Sequence, residues 1–349
     1  MEKKKVLIVI VTYNGADYIG DCLSSLALTT YSEDAFQVMV IDNASTDTTV
    51  ASVKTHFPDA VLLEQKENLG FAKANNIGMR YGIDHGFEYI YLLNQDTVVE
   101  PSFLTEAVAL AESNADIAAV QSKLLLFEDK TKINSIGNEI HYLGFGFAGG
   151  HKTVDRPLEP KPITYASGAA VLLRTSALQN VGLFNEDFFM YHEDTDLGWR
   201  LWLAGYRVML APASVVYHKY QFSRSIKKFY YMERNRYLTI FQNYDFKTLL
   251  LILPALALMD CAMFFYSFFA GWWHENLKVF SFFCKLSTWQ QIQKTRQQVQ
   301  GTRKRSDREV VEKFVGRIEF QDLSNPLLTY VANPVFDLYW RLVKRFIWW

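Results

Sequence analysis

The chain has 349 residues, half of them apolar, with 36 Lys and Arg against 37 Asp and Glu. That length allows roughly two folding units, and a net charge of −1 excludes the basic excess of a nucleic-acid binder. Cys22, Cys261 and Cys284 are too few and too scattered for a disulfide framework or a zinc site, which suits a reducing compartment.

The opening Met1-Glu-Lys-Lys-Lys5 before Val6–Val11 has the outline of a signal peptide. Its apolar run is short and no small-residue cleavage site follows, so a buried first strand is predicted instead. Up to about Leu125, strands are predicted at Val6–Val11, Gln37–Ile41, Ala60–Leu63 and Tyr89–Leu93. Helices are predicted between them at Tyr18–Leu28, Thr46–His56, Ala72–Tyr81 and Pro101–Ser113. This alternation predicts an α/β unit with a mostly parallel sheet flanked by helices, and ligands of such sheets sit at the carboxyl ends of the strands. Those ends carry Thr12-Tyr13-Asn14, Asp42-Asn43 and Asn94-Gln95-Asp96.

Each polar cluster has a chemistry and a plainer reading. Asp42 can accept hydrogen bonds from a ribose or base and Tyr13 offers a stacking face, yet Asp42 to Asp47 would also make a turn and cap a helix. Glu67-Asn68-Leu69-Gly70, followed by Asn75, suits close approach to a phosphate or sugar, or is an ordinary strand-to-helix loop. Asp96, with amides beside it at a strand end, can hold a divalent cation that takes its other ligands from phosphate and water. Gly144-Phe-Gly146-Phe-Ala-Gly149 spells a dinucleotide fingerprint, but Pro157, Pro160 and Pro162 leave no room for the helix it requires.

Further along, short strands are predicted at Val171–Leu173, Val208–Leu210 and Val215–Tyr217, with a helix starting near Asp194. Glu193, Asp194 and Asp196 are more acids than a helix start needs for its dipole. Two residues apart on a helix means about 200°, so Asp194 and Asp196 point to opposite sides. One can do chemistry and the other can pair with Arg200. His218 ends a strand and could be a metal ligand beside Asp96, although a lone His is more often a satisfied structural residue. A long helix is predicted at Ile226–Tyr244, an apolar one at Leu249–Phe269, and an exposed polar stretch at Gln290–Arg308.

In this order and spacing the clusters resemble glycosyltransferase family 2, with its GT-A nucleotide-diphospho-sugar transferase fold. The nearest branch is the bacterial rhamnosyltransferase-like one, with blocks written TYNG, DNxSxD, NxGFAxxxN, NxDT, SGAxxLxR and EDxDLxxR, then a histidine. The resemblance spans about residues 5–240, and Ala166-Ser167-Gly168-Ala169 through Arg174 completes the set. It implies an inverting transferase that uses a dTDP- or UDP-linked sugar, with L-rhamnose the leaning. Thr12, Tyr13, Asn14, Asp42, Asn43, Asn68, Gly70 and Asn75 would lie around the nucleotide, and Asn94 and Gln95 would line the sugar. Asp194 would be the general base, while Asp96 and His218 would share Mg²⁺ or Mn²⁺. Where the family's metal motif usually carries another acid, this chain has Asn94. Arg224 is the candidate cation for the diphosphate, on position alone. A nucleotidyltransferase would share the α/β edge and metal, but its usual glycine- and lysine-rich loop is missing after the first strand; a non-catalytic membrane scaffold stays open if Asp194 is only a cap.

The predicted division is a catalytic domain over 1–240 and a helical, membrane-associating region over 241–349. Leu249–Phe269 is long enough to span a bilayer, but Pro254 and Asp260 argue against a simple span. In the last helix Val335, Leu338, Leu342, Phe346 and Trp349 form one stripe and Arg341, Lys344 and Arg345 another. That is the pattern of a helix lying in the headgroup region, with Trp340, Trp348 and Trp349 at the interface. The expectation is a monotopic enzyme on the cytoplasmic face of the membrane, working on a lipid-linked or glycan acceptor. The alternative is that both segments bury against the catalytic domain or a second subunit, which leaves a homodimer open.

Overall fold

The computed structural model describes residues 4–219, 226–319 and 326–349. The chain divides into two compact units, each assembled from separate stretches. The first takes residues up to Asn138, Ala148–Phe189 and Tyr206–Gln221; the second takes Glu139–Phe147, Met190–Gly205 and Phe222–Trp349.

The first unit is a curled α/β sheet of ten strands among the described residues. Its parallel half is built from β1 (Val6–Thr12), α1 (Ala16–Leu26), β2 (Phe36–Asp42), α2 (Thr49–His56), β3 (Val61–Glu64), α3 (Gly70–Asp84) and β4 (Tyr89–Asn94). The strands lie in the order β4-β1-β2-β3. β1 reads as an unbroken apolar run because both faces are covered, and Val6 through Ile10 are fully buried. α1 turns Ile19, Cys22, Leu23 and Leu26 inward at helical spacing. A Cβ on Gly78 of α3 would meet the Val9 side chain at 2.4 Å, so this glycine lets helix and sheet close up.

The mixed half follows through β5 (Thr97–Val99), α4 (Phe103–Glu112), β6 (Ile117–Leu126) and β7 (Ile133–Ser135). Next come a hairpin of β8 (Asn138–Ile140) and β9 (Gly146–Ala148), then β10 (Lys161–Pro162), β11 (Ala170–Arg174) and α5 (Thr175–Val181). After α6 (Glu193–Leu203), β12 (Arg207–His218) closes the sheet in the order β10-β12-β6-β11-β4. β11 is antiparallel to both its neighbours, while β6 and β12 beyond it pair parallel to each other, so the reversal enters the sheet at β11. The expected helix at Thr46 starts at Thr49 instead, because Asp47 accepts from the Thr49 amide at 3.0 Å and holds the preceding residues in a turn. Gly146 lies on a strand, as expected for a fingerprint without its helix.

The second unit joins α6 to α7 (Ile226–Asn243), α8 (Phe246–Phe269), α9 (Trp273–Phe283), α10 (Leu286–Thr302), α11 (Asp307–Val311) and α12 (Asn333–Val343). Its core is aromatic. Trp199 meets Tyr244 and Phe314 edge-on at 4.5 and 4.6 Å, and Tyr142 stacks on Trp340 at 4.6 Å. Two expectations need correcting here. The 290–308 stretch is only partly exposed: Arg296 and Arg303 donate to the Phe241 and Asn243 carbonyls, at 2.9 and 2.6 Å. These are the carbonyls that the end of α7 leaves unpaired, and cations are favoured there. Trp340 is buried rather than interfacial, and Trp349 donates to Thr248 Oγ1 at 3.0 Å; of the three tryptophans only Trp348 stands exposed.

Candidate active site

The parallel register sets Thr12 beside Asp42 and Val11 beside Asn94, so the three polar strand ends of the first unit come level. Thr12 Oγ1 donates to Asp42 Oδ1 at 3.0 Å, and the Ser45 amide donates to Oδ2 at 2.9 Å. The Asp42 carboxylate is therefore fixed and buried. Next to it the Asn14 amide donates to Ser45 Oγ at 2.9 Å, while Asn14 Oδ1 accepts from the Thr46 amide at 2.8 Å. Tyr13 is 47% exposed at this edge and takes a backbone hydrogen bond from its own N–H to Gln95 Oε1 at 3.1 Å. Its ring is left as an open face.

The asparagines of the next loop have committed side chains. Asn43 Nδ2 donates to Asn68 Oδ1 at 2.9 Å and its Oδ1 accepts from the Leu69 amide at 2.8 Å. Asn68 Oδ1 also accepts from the Gly70 amide at 2.9 Å. Gly70 has φ +79°, and a Cβ there would meet the Phe189 carbonyl oxygen at 2.5 Å, so only glycine fits. Asn75 is buried and donates to the Phe71 carbonyl one turn back, at 2.9 Å. Asn43, Asn68 and Asn75 thus shape the loop, beside the strand ends that carry Tyr13, Asp42 and Gln95.

On the mixed side, β5 pairs with β12 and brings Thr97 opposite His218. Asp96 Oδ1 then lies 3.3 Å from His218 Nε2, and His218 Nδ1 lies 3.0 Å from Asn134 Oδ1 on β7. The amide oxygen of Asn134 is an acceptor, so it calls for the proton on Nδ1. The Nε2 edge of the ring then faces the Asp96 carboxylate, a place where a shared cation would fit. An outer hydrogen bond of this kind is what orients a metal-binding imidazole. Among the described residues no cluster of three or more His, Cys, Asp and Glu could hold a metal, so the pair would leave the other positions to phosphate and water. Asn134 was not anticipated, because a three-residue strand between loops carries no pattern to mark it. Cys22, also near this edge, is no nucleophile: burial pushes its thiol up to about 12.

Asp194 belongs to the second unit, in the first turn of α6. The approach to that helix is left-handed at two bulky residues, Tyr191 (φ 66°) and His192 (φ 69°), each costing on the order of 1–3 kcal/mol. Asp194 Oδ1 accepts from the Thr195 amide at 2.7 Å. Asp196, as its angular offset predicts, is buried and bound to Arg200 at 2.8 Å and to Asn243 Nδ2 at 2.8 Å. Just ahead of Asp194, Glu193 is buried, with an Oε2 that has no hydrogen-bond partner. Burial, and then the charge of Asp194, push its carboxyl up. Desolvation, and then Arg236, push the His192 imidazole down to about 3, so at neutral pH it is uncharged. Arg224 lies outside the described residues.

A family model described as glycosyl transferase family 2 matches residues 7–182. The chain is 31% identical over 239 residues to an N-acetylglucosaminyl-diphospho-decaprenol L-rhamnosyltransferase of Mycobacterium tuberculosis, covering 61% of this chain and 75% of that protein. Among solved structures, the mannosyltransferase PcManGT of Pyrobaculum calidifontis with GDP-Man and Mn²⁺ is similar at TM-score 0.52 and 18% identity, covering 86% of this chain and 87% of that one. S. aureus TarS in complex with UDP is similar at TM-score 0.50 and 19% identity, covering 98% and 90%.

Proposed function

The chain belongs to glycosyl transferase family 2 and is a glycosyltransferase. From that premise we propose that it inverts, moving a sugar, with L-rhamnose the first candidate, from a dTDP or UDP donor to a hydroxyl of a lipid-linked or glycan acceptor at a membrane surface. The observation that carries this reading is the pairing of Asp96 with an Asn134-oriented His218, on the same sheet edge as the fixed Thr12–Asp42 pair. The Mycobacterium relative's name supports a lipid-diphosphate acceptor and rhamnose, and the Mn²⁺ in the mannosyltransferase structure supports a divalent cation.

In the proposed reaction Asp194 takes the proton of the acceptor hydroxyl. The acceptor oxygen forms its bond to the anomeric carbon as the bond from that carbon to the phosphate oxygen breaks on the opposite face. The nucleoside diphosphate leaves with the electron pair. Tyr13 would stack on the base and Asp42 accept from the ribose or base. A divalent cation on Asp96 and His218 would offset the charge of the diphosphate.

The membrane part rests on the second unit. α8 buries Ile252, Ala255 and Met259 yet leaves Leu250, Leu253 and Phe265 in solvent, and Asp260 lies 3.4 Å from Arg236. With its acid turned to Arg236 and its leucines outward, α8 suits lying along a bilayer with that outward face in the lipid. Incubating the full chain with a panel of dTDP- and UDP-sugars and reading the product's anomeric configuration tests the reaction. Transfer with inversion is expected, and retention would overturn the mechanism. For the metal, Asp96→Ala should weaken nucleoside diphosphate binding in Mn²⁺ and change it little in EDTA; wild-type affinity that is equal in both media would remove the cation from the proposal.

A further inference from the structure

We propose that Asn235, oriented by Arg234, is a positioning residue for glycosyl transfer: it clamps the left-handed backbone that delivers Asp194. The proposal rests on the reading of Asp194 as the base and adds what holds that base in place.

The backbone at Tyr191 and His192 needs an external restraint. Neither residue is a glycine, both have positive φ, and the left-handed region is disfavoured for bulky side chains. His192 stands at the N-cap of α6 and makes no side-chain capping bond; its Nδ1 is buried without a hydrogen-bond partner. The local chain therefore does not supply the restraint. Asn235 of α7 does. It is fully buried, and its Nδ2 donates to the Met190 carbonyl at 2.9 Å and to the Tyr191 carbonyl at 2.8 Å. An amide nitrogen carries two hydrogens, so both are spent on consecutive carbonyls of the strained segment.

The amide's direction is fixed in turn. Asn235 Oδ1 accepts from Arg234 Nε at 3.0 Å and from its terminal nitrogen at 2.8 Å. A flipped amide would aim its oxygen at two carbonyls and its N–H groups at a guanidinium. Arg234 is itself held among the rings of Tyr230, Tyr231 and Phe282, at 5.2, 5.3 and 5.3 Å.

Position, more than stability, is what this clamp controls. α6 has its own anchors further along, where Asp196 binds Arg200 and Asn243. Losing Asn235 frees the two residues that set where the helix starts and leaves the helix itself tied. An ångström of misplacement at a reacting group can cost about 100-fold in rate, so the effect belongs in kcat.

The test compares Asn235→Ala, Asn235→Ser and Arg234→Gln in the full chain, with and without Asp194→Asn. Asn235→Ala should lower kcat by roughly 10- to 100-fold, with nucleoside diphosphate affinity within about twofold. Asn235→Ser, which keeps one donor, should fall between it and wild type, and Arg234→Gln should follow in the same direction. Hydrogen exchange should quicken in the peptide covering 189–196 and stay unchanged across β1 to β4. In the Asp194→Asn background Asn235→Ala should add no further loss, because the two act through one group. An unchanged kcat, a loss that tracks only the unfolded fraction, or full additivity with Asp194→Asn would overturn the clamp. If Asn235→Ala fails to fold, the Ser and Gln variants decide by the same measures. An active Asp194→Asn enzyme would sink the base assignment separately, and the exchange result would still judge the clamp.

Discussion

Val6 through Ile10 on β1 are fully buried, and Tyr89 through Leu92 on β4 nearly so; the central strands of the first unit keep their long apolar side chains inside. The second unit has helices at least as apolar, yet Leu250, Leu253, Phe265 and Phe269 on α8 and Leu338 and Leu342 on α12 stand in solvent. α8 is long and apolar enough to cross a membrane by length and composition, and most of it is left unburied by the protein. An exposed apolar face of this kind is what a contact with another surface would cover. The difference teaches that the first unit carries its chemistry on an edge its own core makes rigid. The second carries an acid at a helix start and, on other helices, a face its own residues leave open.

The sharpest break between the two units is expected at their carboxylates. Asp42 in the first unit is fixed by Thr12 and Ser45, so it should serve binding, whereas Asp194 in the second should serve proton transfer. Asp194→Asn should therefore lower kcat by roughly 100- to 10,000-fold, the usual contribution of a general base, while nucleoside diphosphate affinity and melting temperature stay near wild type. Steady-state kinetics alongside calorimetry reads both. A variant that keeps more than about a tenth of wild-type activity would place the base elsewhere.

The exposed face gives the next largest effect. Leu338 and Leu342 lie one turn apart on α12 and are both outward. Burying each is worth about 1.5 kcal/mol or more. Leu338→Glu with Leu342→Glu should thus weaken partition to anionic vesicles by roughly 100-fold, leaving transfer to a soluble acceptor intact. Vesicle sedimentation is the measurement. Unchanged partition, with loss of a dimer in ultracentrifugation, would assign the face to a second copy of the chain instead.

The sequence reveals the two units unequally. The parallel strands and their polar ends were legible, because an apolar run that stops at Asp42 or Asn94 is a signal of burial followed by a site. Asp196–Arg200 was legible from helical spacing. The clamp was not. Positive φ at Tyr191 and His192 has no residue signature, since neither is glycine or asparagine, and Asn235 reads as one polar residue among many on α7. Trp340 misled for a related reason: a tryptophan near a basic stripe suits an interface as well as a core. Its stacking on Tyr142, from the 139–147 segment, and its indole bond to the Phe314 carbonyl decide for the core. Contacts that join distant segments of chain leave no periodicity to read.

The smallest effect expected is at Glu193, and it separates the two neighbouring acids. Its carboxyl is buried with one oxygen unpartnered, and burial ahead of the Asp194 charge raises its folded pKa from 4.5 to about 8. The proton is then held more tightly in the folded state than in the unfolded one. The resulting stability is fully present below about 4.5 and is lost as pH rises toward 8, where the folded state also ionises. Within that window wild type should lose stability from this group as the pH rises. Glu193→Gln is neutral in both states and cannot contribute such a slope. Its advantage over wild type should therefore grow between pH 5 and 8, a range set by the same linkage at roughly one proton. Denaturant unfolding at several pH values measures it, and parallel pH profiles for the two proteins would show that Glu193 is ionised in the fold. Transfer by Glu193→Gln should persist, since Asp194 remains. A variant that is stable but inactive would make Glu193 the proton acceptor and return Asp194 to the role of a helix cap.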